Sequence, residues 1–169
     1  EANIAAEAKL QVELNFKALA EAGYLTVDTM GGVLAEEYRV LKWPVLKNAA
    51  ARDIPQGENA KLIAVSSALP REGKTFTTFN LGLSLAMERD VTVLLVDCDL
   101  LARSLTQLVG LDDALGLTDL LVDKRLNLGE VIVRTNVPKL RVIPAGRVRQ
   151  HTTELLASGS MRRLLNEVA

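Results

Sequence analysis

Ala68-Leu69-Pro70-Arg71-Glu72-Gly73-Lys74-Thr75 follows the apolar run Leu62-Ile63-Ala64-Val65 and opens a segment, Lys74 to Arg89, that reads as a helix. Strand, loop, Gly-Lys-Thr and helix together form the context of a phosphate-binding loop. In such a loop successive backbone N–H groups turn inward onto phosphate oxygens, and the helix N-terminus adds favourable partial charge. On this reading Lys74 reaches the β- and γ-phosphates and the Thr75 hydroxyl ligates Mg²⁺. The motif normally opens with glycine, and here that position is Ala68. A plain strand–turn–helix with a surface lysine is the alternative; flanks and spacing favour a nucleoside triphosphate held with Mg²⁺.

Downstream, strand and helix alternate. Lys61 to Val65 is apolar on both faces, as expected of a buried parallel strand. Val91 to Val96 repeats the pattern and ends in Asp97-Cys98-Asp99. Carboxylates at a strand's C-terminal end lie on the edge where open α/β sheets bind ligands. Alternation points Asp97 and Asp99 to one side if the extension continues. Such a pair can ligate Mg²⁺, and one member can accept a proton from an attacking hydroxyl. The alternative is a helix N-cap plus a turn aspartate. Cys98 then points the other way and reads as a small buried residue.

Arg103 to Val109 reads as a short helix with Leu105 and Leu108 inward, and Thr118 as the cap of another through Val122. A further helix is expected near Leu128 to Val133, and a third strand at Leu140 to Ile143, closed by Pro144-Ala145-Gly146. Arg141, Arg147 and Arg149 form a modest basic cluster, and the lone His151 is given no chemistry. Glu154 to Val168 reads as helix, with Met161, Leu164 and Val168 inward and Ser158 capping its second half. Three strands apolar on both faces predict a sheet that continues, so the chain is expected to be the first part of a larger domain.

Upstream, Ile4 to Ala22 has a helix former's composition with a Gly23 stop, and is expected to be a helical arm. Thr26 to Gly32 and Ala51 to Asn59 read as linkers. Between them Leu34, Tyr38, Leu41 and Val45 recur at helical spacing, with Glu36, Arg39 and Lys42 stepping along an adjoining side. Pro44 is expected to kink this helix or to start a second one.

The 169 residues allow one domain with a sizeable core plus an arm, divided here as 1–32 for arm and linker and 33–169 for the domain. A net charge of −1 gives no support for nucleic-acid binding. The single cysteine excludes an intramolecular disulfide and fits a reducing compartment. No apolar run approaches bilayer length, and the expectation is a soluble cytoplasmic protein.

Ala-x4-Gly-Lys-Thr, followed about twenty residues later by Leu94-Leu95-Val96-Asp97-Cys98-Asp99, resembles the bacterial tyrosine kinases (BY-kinases). Ala68-Leu69-Pro70, Glu72 to Thr77, Ala86-Met87-Glu88 and Glu154 to Ser158 resemble the tyrosine autokinases of exosortase-linked exopolysaccharide loci. The resemblance implies a P-loop NTPase-type α/β fold, a mostly parallel sheet with flanking helices, with ATP and Mg²⁺ as cofactors. It places Pro70, Arg71, Glu72, Gly73, Lys74, Thr75 and Phe76 around the nucleotide, and Thr75, Asp97 and Asp99 near the metal. Lys74, Asp97 and Asp99 take the catalytic roles. Glu36, Arg39 and Lys42 resemble the Glu-x2-Arg-x2-Arg helix that such kinases use for ring-like self-association, with Lys in the last place. Leu69 stands where partition-type ATPases carry a signature lysine.

Four departures accompany the likeness. The third metal motif and the tyrosine-rich tail would both lie beyond Ala169. Arg71 stands where relatives often have Gly, a substitution costing about 1 kcal/mol if the backbone there needs positive φ. Leu100 to Ala102 lacks the arginine that usually follows the acidic pair. The expectation is an ATP-dependent tyrosine autokinase regulating exopolysaccharide synthesis or export. It would work at the inner face of the membrane through a membrane-embedded co-polymerase or chain-length regulator. The alternatives are a nucleotide-switched ATPase or scaffold without kinase activity, and a non-catalytic regulator of export.

Overall fold

In the computed structural model, residues 10–50, 61–148 and 152–168 are described. Its centre is helix α3 (Lys74–Ala86), which starts immediately after Gly73 in the left-handed region (φ 93°). Glycine reaches that conformation without the Cβ penalty. Phe79 and Leu83 are completely buried on this helix, worth about 1.5–3 kcal/mol each in transfer free energy. Gly82 lets α3 sit close to strand β2 (Val93–Val96): a Cβ there would lie 2.6 Å from Leu95 Cδ2.

The sheet has four strands in the order β1-β3-β4-β2, with β1 at Leu10–Val12, β3 at Val133–Thr135 and β4 at Leu140–Ile143. β2 runs parallel to β4 and β1 parallel to β3, while β3 and β4 are antiparallel. The sheet is thus mostly parallel, as the α/β pattern predicts. Apolar residues line both of its faces. Leu95, Leu140 and Val142 face a cluster with Phe79, Leu83 and Leu105. Leu94, Val96 and Ile143 face a second cluster with Leu117, Val131, Met161 and Leu164. Helix α4 (Ser104–Leu108) packs in the first layer, and α5 (Leu117–Val122), α6 (Leu128–Val131) and α8 (Gly159–Val168) in the second.

Several local expectations are corrected. Over its described part, the stretch expected as one helix from Ile4 to Ala22 is strand β1 followed by helix α1 (Phe16–Glu21); residues 4–9 lie outside the described residues. β1 is held by pairing with β3. Beyond it, Asn136 accepts the Leu14 N–H (3.1 Å) and donates to Leu14 O (3.3 Å). Lys61 to Val65 forms no strand: Leu62 and Ile63 are each 45% exposed, and no ladder among the described residues reaches them. A strand needs a neighbour for its N–H and C=O groups, and composition alone cannot supply one. Val133, expected as the end of a helix, instead opens β3.

Helix α2 (Val33–Ala49) runs through Pro44 unbroken. The carbonyl that Pro44 cannot bond belongs to Val40, a residue 73% exposed. The C-terminal helix is two pieces, α7 (Thr152–Leu156) and α8, with the Ser158 hydroxyl accepting the Met161 N–H (3.3 Å) as the expected cap. The 51–59 linker, Arg149 and His151 lie outside the described residues.

Candidate nucleotide site

The loop before α3 is shaped by its own side chains. Glu72 turns back so that Oε2 accepts the Leu69 N–H (2.9 Å), and the Ser67 hydroxyl donates to Leu69 O (3.0 Å). Lys74 Nζ donates to Ser67 Oγ (3.0 Å), so the ammonium lies folded over the loop. Pro70 has no N–H to offer. Arg71 adopts φ 66°, the positive value on which its cost was conditional. The Phe76 ring is turned from the loop onto Tyr24, at 5.1 Å between centroids, and Tyr24 meets Phe79 edge-on at 5.5 Å. Burial raises the Tyr24 pKa.

The second part of the site follows β2. The chain does not stay extended there. Asp97 is buried (3% exposed), and its Oδ1 accepts the Asp99 N–H (3.1 Å) in a tight turn. Its Oδ2 accepts both the N–H (2.8 Å) and the hydroxyl (2.6 Å) of Thr106 on α4. Asp99 is exposed; Oδ1 accepts the Ala102 N–H (3.1 Å) and its carbonyl accepts the Arg103 N–H (2.7 Å). Asp99 therefore does act as a turn aspartate, and the two carboxylates do not share one environment. Cys98, expected to be buried, is exposed because the turn carries it outward. Partial desolvation, then the Asp97 charge, raise its pKa, so it is no ready thiolate. With Asp99, Leu100, Leu101, Thr152 and Leu156 it lines a shallow recess of about 130 Å³.

The loop after β4 closes behind Asp97. The Ala145 N–H donates to Thr106 Oγ1 (2.8 Å), and Thr118 Oγ1 donates toward Ala145 O (3.0 Å) and Arg147 O (2.8 Å). Thr118 is thus inside α5 rather than its cap, which is Gly116. Asp119 Oδ2 accepts the N–H groups of Gly116 and Arg147, each at 3.2 Å. Of the predicted arginine cluster, Arg141 is buried within β4 opposite Arg134 and Arg147 is exposed on the loop, while Arg149 lies outside the described residues. Neither Thr106 nor Asp119 was singled out from sequence. Their signal, a polar residue amid apolar spacing, is too common to read alone.

No group of three or more His, Cys, Asp or Glu capable of caging a metal occurs among the described residues. Thr75, Asp97 and Asp99 offer hard oxygen donors but too few for a protein-only cage. Oxygen donors of this kind would fit Mg²⁺, which keeps waters and takes one or two carboxylates plus substrate phosphates.

On α2, Glu36 and Arg39 pair at 2.8 Å in solvent. Lys42 does not extend that exposed row. Its Nζ bonds Glu88 Oε1 (2.7 Å) and Ser84 O (3.2 Å), fastening α2 to the C-terminal end of α3.

The AAA domain family matches residues 60–168. The chain is 38% identical over 108 residues to the tyrosine-protein kinase ptk of Acinetobacter johnsonii, covering 64% of this chain and 14% of that protein. It is 32% identical over 113 residues to the tyrosine-protein kinase CpsD of Streptococcus agalactiae, covering 66% and 48%. It is also 31% identical over 144 residues to the succinoglycan biosynthesis transport protein ExoP of Rhizobium meliloti, covering 83% and 17%. Among solved structures, the VpsO kinase domain matches at TM-score 0.54 and 33% identity, over 59% of this chain and 48% of that one. The chimerical protein CapA2B2 shares the fold at TM-score 0.68 and 19% identity, over 95% and 66%. The chain spans about half the length of CpsD and less of the longer relatives. The chain belongs to the AAA domain family, and the relatives it matches include proteins named tyrosine-protein kinases.

Proposed function

We propose that this chain carries the nucleotide-handling part of an ATP-dependent tyrosine autokinase that regulates exopolysaccharide synthesis or export, with residues 33–169 as the kinase portion. The observation that carries this reading is the loop preceding α3: Gly73 in the left-handed region, then Lys74 and Thr75 at the helix tip. Kinase and polysaccharide-transport names among the relatives supply the reaction class. Loop amides from Arg71 to Phe76 and the Lys74 ammonium hold the β- and γ-phosphates. Bound Mg²⁺, reached by Thr75, Asp97 and Asp99, supplies charge neutralisation on the phosphates. A tyrosine hydroxyl attacks the γ-phosphorus, the bond to the β–γ bridging oxygen breaks, and ADP leaves. The hydroxyl proton passes to Asp97 or Asp99.

The acceptor lies on another molecule or another part of the protein. Tyr38 is buried, and Tyr24 is packed against two phenylalanines. Self-association runs through the helix bearing Glu36, Arg39 and Lys42, with Lys42 contributing by fixing that helix to α3. The transport role named for ExoP supports a membrane polysaccharide co-polymerase as partner and work at the inner membrane face; among the described residues no helix is long and apolar enough to cross a membrane.

The test is incubation with ATP, Mg²⁺ and a Glu-Tyr copolymer, with detection of phosphotyrosine. Phosphotyrosine lost in Lys74→Met is the expected result. Phosphate release without phosphotyrosine would point to a nucleotide-switched ATPase instead, and phosphotyrosine surviving Lys74→Met would defeat the assignment.

A further inference from the structure

Behind Asp97 sits a threonine with three buried hydrogen bonds. Thr106 has no exposed surface. Its N–H and hydroxyl both donate to Asp97 Oδ2, at 2.8 and 2.6 Å, and its hydroxyl oxygen accepts the Ala145 N–H at 2.8 Å. A hydroxyl has a single proton, so these partners fix its rotor as well as its position. One oxygen of the carboxylate is gripped by two donors. The other, Oδ1, receives among the described residues the Asp99 N–H alone, at 3.1 Å, and keeps lone-pair capacity.

We propose that Thr106 is a positioning residue: it sets the plane of the Asp97 carboxylate and reserves Oδ1 for the Mg²⁺-bound triphosphate. The terminal torsion of an aspartate is intrinsically broad, so a carboxylate without this grip would sample orientations that turn Oδ1 away. The Ala145 bond anchors the grip to the end of β4, so two strand ends hold one carboxylate. This role rests on the nucleotide reading of the site. Residues that orient metal ligands in this manner typically change metal affinity about 10–100-fold when lost.

The experiment compares Thr106→Val, which removes the hydroxyl, with Thr106→Ser, which keeps it. Binding of a fluorescent ATP analogue is titrated with Mg²⁺, without turnover. The valine variant is expected to need about tenfold more Mg²⁺ for half-saturation, and the serine variant to stay within about twofold of wild type. Nucleotide affinity in chelator should be unchanged in both. Metal-free NMR gives a second readout, since the Asp99 amide donates to Oδ1: its resonance should move in the valine variant and hold in the serine variant. Thr106→Cys, with a weakly bonding thiol, carries the same comparison if the valine chain does not fold. A wild type whose binding ignores Mg²⁺ overturns the site reading, and this role with it, before any variant is compared. A Mg²⁺-dependent wild type whose valine (or cysteine) variant titrates identically, with the Asp99 amide unmoved, overturns the Thr106 role alone.

Discussion

Replacing Lys42 by Met should loosen α2 from α3 while leaving the phosphate loop intact. Lys42 is 12% exposed and bonds both Ser84 O and Glu88 Oε1, whereas the Glu88 side chain is 41% exposed. The Ser84 carbonyl sits in the last turn of α3, where such acceptors lack helical partners and a cation is favoured. A hydrogen bond from a charged donor is worth about 1.5–3 kcal/mol when sheltered. The half-exposed ion pair is worth only about 0.2–1 kcal/mol after solvent screening. Met retains the apolar stem, so a net loss of about 2 kcal/mol is expected, lowering the melting midpoint by roughly 4–8 °C for a chain of this size.

Glu88→Gln isolates the ionic part: a double-mutant cycle should show coupling of about 0.5 kcal/mol at neutral pH. The Lys42 hydrogen bond, and next its charge, hold the Glu88 carboxyl below its usual range; Lys139 and Arg39 add to this against a small desolvation penalty. Because the folded value lies below the unfolded one, the contribution is complete above the unfolded value, near about 4.3. It disappears as pH falls through the folded value. Urea melts of the four chains at neutral and acid pH measure both effects. Zero coupling at neutral pH, or coupling that persists after Glu88 is protonated, would refute the reasoning.

Gly116→Ala should be strongly destabilising, by about 1–3 kcal/mol or more in a urea melt, because the new Cβ would lie 2.1 Å from Pro144 O and 2.5 Å from Gly146 N, both rigid backbone. Arg71→Gly should raise the thermal midpoint or leave it unchanged: removing the positive-φ penalty of about 1–2 kcal/mol offsets the entropy added to the unfolded chain. Leu83→Ala should cost about 2–5 kcal/mol in the same melts, since that side chain is fully buried between α3 and the sheet.

The helix and loop at the centre were legible because Gly-Lys-Thr specifies a backbone path; the positive φ at Arg71 entered only as a condition, which the structure meets. β2 and β4 were legible as apolar runs bounded by Asp97 and Pro144. β1 and β3 were not. Each has three residues, too few for period-two alternation, and the Val131-Ile132-Val133 run joins a helix to a strand without a polar break. Lys61 to Val65 misled for the opposite reason: strand-like in composition, it joins no sheet ladder among the described residues. Asp97 and Asp99 follow β2 as the residue order implies, but their setting was not legible, because an Asx-type turn at Asp97 leaves one carboxylate buried and the other exposed. Lys42 was legible as a charge at helical spacing. Which helix it would grip depended on α3 arriving beside it, a tertiary fact.

The central claim is that Lys74 and the loop before it bind a nucleoside triphosphate with Mg²⁺. Isothermal titration of ATP into wild type and Lys74→Met, with Mg²⁺ and with chelator, tests it most directly. In the bound state Lys74 exchanges the neutral Ser67 hydroxyl for phosphate oxygens, a charge-assisted bond about twice as strong. The account predicts Mg²⁺-dependent binding to wild type, weakened at least about tenfold by Lys74→Met. Equal affinity in the two chains, or no ATP binding by wild type, would contradict it.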